Sequence, residues 1–145
     1  MANLKSFIYC ANAERAQIKT PSGMVAESLN AIGIITTITP EFIPSTFSFA
    51  IVFSILEIDI TKEHVIRVIF SNNEGDIIAD TNDIKLPEDK SENKLELPPE
   101  FVGLNLSLDF RNVVFEKEGT YNTEVYFDGG SLGKNSIYVK SKRKV

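Results

Sequence analysis

The chain is 145 residues long, 43% hydrophobic and 24% charged, which suits one globular domain with a sizeable core. Its single cysteine, Cys10, excludes an internal disulfide, and its apolar runs fall short of the roughly 18 residues that span a bilayer. Net charge is −5, and residues 1–139 hold 11 basic against 20 acidic side chains, a balance that repels phosphate backbones and argues against direct nucleic-acid binding by the body of the protein.

In chain order, a first strand is expected at about Ser6 to Cys10. The residues before it lack an uninterrupted apolar segment and a cleavage site, so no signal peptide is expected; with the lone cysteine, this points to a cytoplasmic location. Ala11 to Ile18 reads either as a helical turn capped by Asn12 or as an irregular loop. A strand follows at Leu29 to Ile38, and Pro40 and Pro44 bracket a connection that cannot continue a ladder. Phe47, Phe49, Ile51, Phe53 and Ile55 share one face of the next strand, opposite Ser48, Ala50, Val52, Ser54 and Leu56. Ile66, Val68 and Phe70 alternate with Arg67 and Ile69. Asn72-Asn73-Glu74-Gly75 then reads as a hairpin loop with a left-handed Gly75, leading into a short strand at Asp76 to Ala79.

Thr81 to Leu97 is polar and rich in both charges, and is expected to be a long mobile loop. Pro98-Pro99 gives a stiff extended approach to the cleanest strand, in which Leu104, Leu106, Leu108 and Phe110 alternate with polar residues. Gly119 and Tyr121 open a strand that alternates through Thr123, Val125 and Phe127. A tyrosine at this point in immunoglobulin-like sandwiches ties its hydroxyl to the backbone upstream; Thr123 stands where antibody domains carry a cysteine. Asp128-Gly129-Gly130 turns the chain toward a last strand at Ser136 to Val139. The basic segment 140–145 is expected to be a frayed, solvated tail beyond a domain of residues 1–139. Seven to nine strands with Gly/Pro turns favour an all-β, single-domain antiparallel β-sandwich, immunoglobulin-like and without a disulfide.

Chemistry is hard to seat on this scaffold. His64 is the sole histidine and is read as an exposed turn residue rather than a catalytic base. Cys10, between Tyr9 and Ala11, is read as a packing residue. One histidine and one cysteine do not make a zinc site, and the acids of the 80–100 region lack calcium-loop spacing, so no metal and no cofactor are expected. Gly129-Gly130-Ser131-Leu132-Gly133 follows a strand without opening a helix and reads as a turn with a bulge, not a phosphate cradle. Tyr126 is the aromatic that alternation sends outward on a clean strand.

The order of these features resembles an uncharacterised family of bacterial and phage-associated proteins defined only as a domain of unknown function. The resemblance rests on the opening strand Phe7-Ile8-Tyr9-Cys10-Ala11-Asn12-Ala13, the step Ala31-Ile32-Gly33-Ile34, the Pro-bounded link, the long apolar strand, the Glu-Gly hairpin and the closing Gly-x-Tyr strand with its Asp-Gly turn. It implies no catalytic residues. The expected function is a non-catalytic protein-binding module, encoded by a phage or mobile element and acting on a bacterial host protein, with Asp83, Glu88, Asp89, Glu92 and Tyr126 as partner-binding residues. The alternatives are a self-associating virion or appendage protein, pairing through residues such as Val52 and Leu56, and a small-ligand or carbohydrate-binding sandwich.

Overall fold

The computed structural model describes residues 2–88 and 96–143, except 20, 22 and 24. Its strands are β1 (Asn3–Lys19), β2 (Val25–Ile35), β3 (Thr37–Ile38), β4 (Ser45–Leu56), β5 (His64–Asn72), β6 (Ile77–Asp80), β7 (Ile84–Leu86), β8 (Gly103–Phe115), β9 (Gly119–Phe127) and β10 (Gly130–Val139). One 3-10 turn, Pro99–Phe101, precedes β8, and no α-helix occurs among the described residues. Sheet A has the order β2-β1-β4-β8. Sheet B has the order β3-β10-β9-β5-β6, with β7 also pairing to β5. All pairings are antiparallel except β3 with β10. The two sheets pack as a β-sandwich, and Cys10 is unpaired.

The alternation read from the sequence sets the core. Phe49, Ile51, Phe53 and Ile55 of β4 face Ile66, Val68 and Phe70 of β5 and Tyr121, Val125 and Phe127 of β9. Aromatic rings supply much of the filling. Phe70 has ring centroids 5.4 Å from Phe49, 5.5 Å from Tyr121 and 6.1 Å from Phe115. One polar pair interrupts this core. Thr123 is fully buried, and its hydroxyl lies 2.7 Å from that of Tyr9. The Tyr9 hydroxyl donates its single proton to the Asn135 carbonyl at 3.0 Å, which leaves Thr123 as the donor to Tyr9. Burial pushes the Tyr9 phenol up to about 12, against the Thr123 bond, which lowers it. The expected hydroxyl tie is present: Tyr121 donates to the Lys117 carbonyl at 2.7 Å.

Four expectations need correction. Ala11 to Ile18 is neither helical nor irregular, because β1 runs on to Lys19 and pairs with β2 from Cys10↔Ile34 to Lys19↔Val25. The residues are polar on both sides because this part of β1 leaves β4 after Cys10 and continues as a two-stranded ribbon. In a flat sheet β2 would lie about 14 Å from β8, at roughly 4.8 Å per strand. The two nevertheless approach within contact range, and Arg15 reaches the Asn105 carbonyl, so the ribbon folds over the outside of sheet A. Gly33, with φ of +69°, stands at the bend, where a Cβ would be only 3.1 Å from that of Ala11. The fold-over explains why Cys10 and Ala50, which point away from the core by register, are buried.

Second, the 81–97 segment is not wholly loop: β7 pairs with the start of β5. Third, Pro98 is extended as expected, but Pro99 opens the 3-10 turn instead of prolonging an extended approach. Fourth, residues 140–143 are not frayed. Amides of Lys140, Lys142 and Arg143 donate to the carbonyls of Ile38, Pro40 and Glu41, extending the β3–β10 neighbourhood. The side chains of Lys142 and Arg143 both meet Glu41.

Candidate functional site

The outer face of sheet B carries a shallow depression of about 340 Å³ between β5 and β9. Alternation puts it there. Val65, Arg67 and Ile69 are the β5 residues that do not face the core, and Arg67 lies directly opposite Tyr126 of β9. Asp83, just before β7, and Gly129 complete the lining. Arg67 grips Asp80 with two bonds, Nε to Oδ1 at 3.0 Å and Nη2 to Oδ2. That bond is the main cause holding the Asp80 carboxyl below its ordinary range. The Tyr126 hydroxyl donates to Glu124 at 2.7 Å, and Ser131 donates to the other Glu124 oxygen at 2.6 Å. Ser131 first and Tyr126 second lower the Glu124 carboxyl. The depression therefore joins apolar walls to a guanidinium set between Asp80 and Asp83, with acid in excess.

One end of the depression is closed by a clamp. Asp128 (φ 49°) and Gly129 (φ 85°) form the two-residue turn between β9 and β10, both in the left-handed region that favours Gly and Asp. The Asp128 amide donates to the Val65 carbonyl at 2.7 Å, and the Val65 amide donates to Asp128 Oδ1 at 2.8 Å. His64 adds a third contact, Nδ1 to Asp128 Oδ2 at 2.7 Å, while its Nε2 lies 2.6 Å from the Asp59 carbonyl. A carbonyl and an ionised carboxylate only accept, so both ring nitrogens donate and the geometry selects the imidazolium. Burial alone would lower the His64 pKa, but the bonds to Asp128 and the Asp59 carbonyl outweigh it and raise it. Burial would likewise raise Asp128, yet the Val65 amide and His64 hold it below the usual carboxylate range.

His64 is thus not an exposed turn residue; its side chain is 13% exposed. Sequence reasoning missed it because the contact crosses the sheet from β5 to the β9–β10 turn, and no spacing along the chain encodes that. The Asp-Gly turn was the only available signal. The raised folded-state value means its contribution to stability is complete below the unfolded value, about 6.5, and is lost as pH rises through the folded value. Asp128 acts with the opposite sign, its contribution fading as acid protonates it. Replacing His64 by Asn is expected to cost about 1 kcal/mol near pH 6, reduced by the half-exposure of Asp128, and clearly less near pH 9. Paired urea titrations of the two proteins check this, and an equal cost at both pH values would refute the imidazolium clamp.

Of the partner-binding residues expected from sequence, Asp83 and Tyr126 meet at this depression. Glu88 is exposed just beyond β7 and is not among the described residues that line it. Asp89 and Glu92 lie outside the described residues. Val52 and Leu56, expected as exposed apolar contacts, are half-buried. Among the described residues no group of three His, Cys, Asp or Glu side chains is arranged to hold a metal ion. Burial pushes the Cys10 thiol up, against lowering by the amides of Ile32 and Asn12. No described helix is long and apolar enough to cross a membrane.

Fold and surface together define a disulfide-free, two-sheet β-sandwich with a mixed apolar and acidic depression on one outer face. The chain belongs to DUF6941, a family of unknown function, whose model matches residues 22–140. The resemblance to a family without an assigned function is borne out at that level. A search of curated proteins returned no match.

Proposed function

We propose that the protein is a non-catalytic, immunoglobulin-like binding module that engages a protein partner through the outer face of β5 and β9. The observation that carries this reading is the meeting of Asp83 and Tyr126, far apart in sequence, in one depression beside Arg67. An aromatic ring and an arginine flanked by carboxylates are the residue types that anchor protein interfaces. The Tyr121–Lys117 tie and the β3-β10-β9-β5-β6 order support the immunoglobulin-like assignment. The absence of catalysis is supported by His64, whose ring nitrogens both donate to acceptors, and by a buried thiol with a raised pKa. The resemblance to bacterial and phage-associated proteins suggests a host protein as the partner and the bacterial cytoplasm as the setting.

Affinity capture with the wild type and with an Asp83→Lys/Tyr126→Ala variant, from a nuclease-treated bacterial lysate and quantified by mass spectrometry, tests the proposal. A protein retained by the wild type is expected to fall at least about ten-fold with the variant, since each 1.4 kcal/mol of lost contact is a factor of ten. Equal retention by two folded proteins would sink the assignment of this face.

A further inference from the structure

We propose that the seam between β6 and β8 is a docking groove for an extended, cationic segment of a partner protein. β6 is an edge of sheet B and β8 an edge of sheet A; they lie against each other, and among the described residues each pairs with a strand on one side only. On these outer sides an added strand can pair with main-chain groups, the Asn105 carbonyl that Arg15 takes excepted. A groove of about 370 Å³ runs along the seam. Its apolar part is formed by Ile77 of β6, 59% exposed, and Val114 of β8, 49% exposed, with Ile78 behind them. Two large apolar side chains exposed at one groove are a local excess that a bound segment would cover.

Charge fixes the chemistry of that segment. Asp76 and Glu116 line the groove, and Lys117, the one lysine among the described residues that line it, is held by Glu74 at 3.1 Å. The bond and charge of Glu74, with the fields of Asp76 and Glu116 behind them, raise the Lys117 pKa. Three carboxylates around one paired ammonium leave a negative rim over an apolar floor, which repels an acidic segment and attracts a basic one. Successive side chains of an extended segment point to opposite sides. Apolar side chains then cover Ile77 and Val114 while the alternate lysines or arginines reach the carboxylates. This groove lies away from the Asp83–Tyr126 depression and does not depend on it.

Fluorescence anisotropy with a fluorescein-labelled hexapeptide of alternating lysine and valine tests the groove, with its glutamate–valine counterpart as control. The lysine–valine peptide is expected to bind at least about ten-fold more tightly than the control. An Ile77→Ser/Val114→Ser variant, changed only at exposed positions, is expected to lose about ten-fold in affinity, while Asp83→Lys/Tyr126→Ala leaves binding unchanged. Thermal unfolding of each variant confirms that it is folded. Absence of saturable binding would overturn the proposal. So would unchanged affinity in the serine variant, which would assign binding to general acidity, or a loss confined to Asp83→Lys/Tyr126→Ala, which would move the peptide to the other face.

Discussion

Phe70→Ala is expected to destabilise the protein by about 3–5 kcal/mol and to lower the melting temperature by on the order of 10 °C. Phe70 is fully buried at the middle of the sandwich, and its ring joins residues from both sheets: Phe49 of β4, Phe110 and Phe115 of β8, and Tyr121 of β9. Truncation removes the transfer free energy of a large side chain and leaves a cavity walled by four rings anchored on three strands. Those rings cannot all move inward together, so little of the cavity collapses. Phe70→Leu keeps more of the volume and is expected to cost clearly less. Urea midpoints with unchanged m-values measure both effects. A loss below about 1 kcal/mol for Phe70→Ala would mean that the aromatic cluster repacks freely and does not hold the sheets in register.

Gly103→Ala is expected to cost about 3 kcal/mol or more, although it adds a single methyl group. Gly103 begins β8 and pairs with Leu56 at the end of β4. A Cβ at this position would overlap the Ile55 carbonyl oxygen and approach Leu56 Cδ2 to 2.8 Å. The obstructing atom is main chain, fixed in the β4–β8 ladder, so no rotamer change relieves the clash and the strand must shift. Gly130→Ala is the control, since a Cβ there meets only the Phe127 carbonyl oxygen at 3.7 Å, an ordinary contact. Equilibrium unfolding that placed the two variants within about 0.5 kcal/mol of each other would contradict the tight pairing at Gly103.

The sequence was most legible where alternation was undisturbed. The inward faces of β4, β5 and β9, and of β8 as far as Phe110, follow the pattern residue by residue, because a strand buried on one side must repeat with period two; beyond Phe110 a bulge at Asn112 (φ 53°) shifts the inward positions to Val113 and Phe115. The turns at Gly75 and Asp128-Gly129, which need a positive φ, were equally readable. The ribbon was not, because Ala11 to Ile18 lacks alternation: its strand pairing is local to the hairpin and it folds over sheet A instead of forming the core. Short β7 was hidden for a related reason, since Ile84-Lys85-Leu86 is fixed by pairing to Val65 and its neighbours, not by its own pattern. Outward-facing Tyr126 could be placed from its strand alone. Its meeting with Arg67 and Asp83, and that of His64 with Asp128, depend on which strands become neighbours, which no single strand specifies.

The parallel pairing of β3 with β10 bears on how the sandwich is built during synthesis. Thr37 pairs with Tyr138 and Ile38 with Val139, contacts between residues that leave the ribosome far apart in time. The ribbon and the β1–β4 pair need only the first part of the chain. Sheet B reaches its full width only when β10 arrives to join β9 on one side and β3 on the other. Until then Ile38 lacks its β10 partner, and the buried positions that Ile137 and Val139 take beside β9 are unfilled. A chain without β10 would leave the edges of β3 and β9 open to other chains, so the arrival of β10 closes an aggregation-prone gap in sheet B.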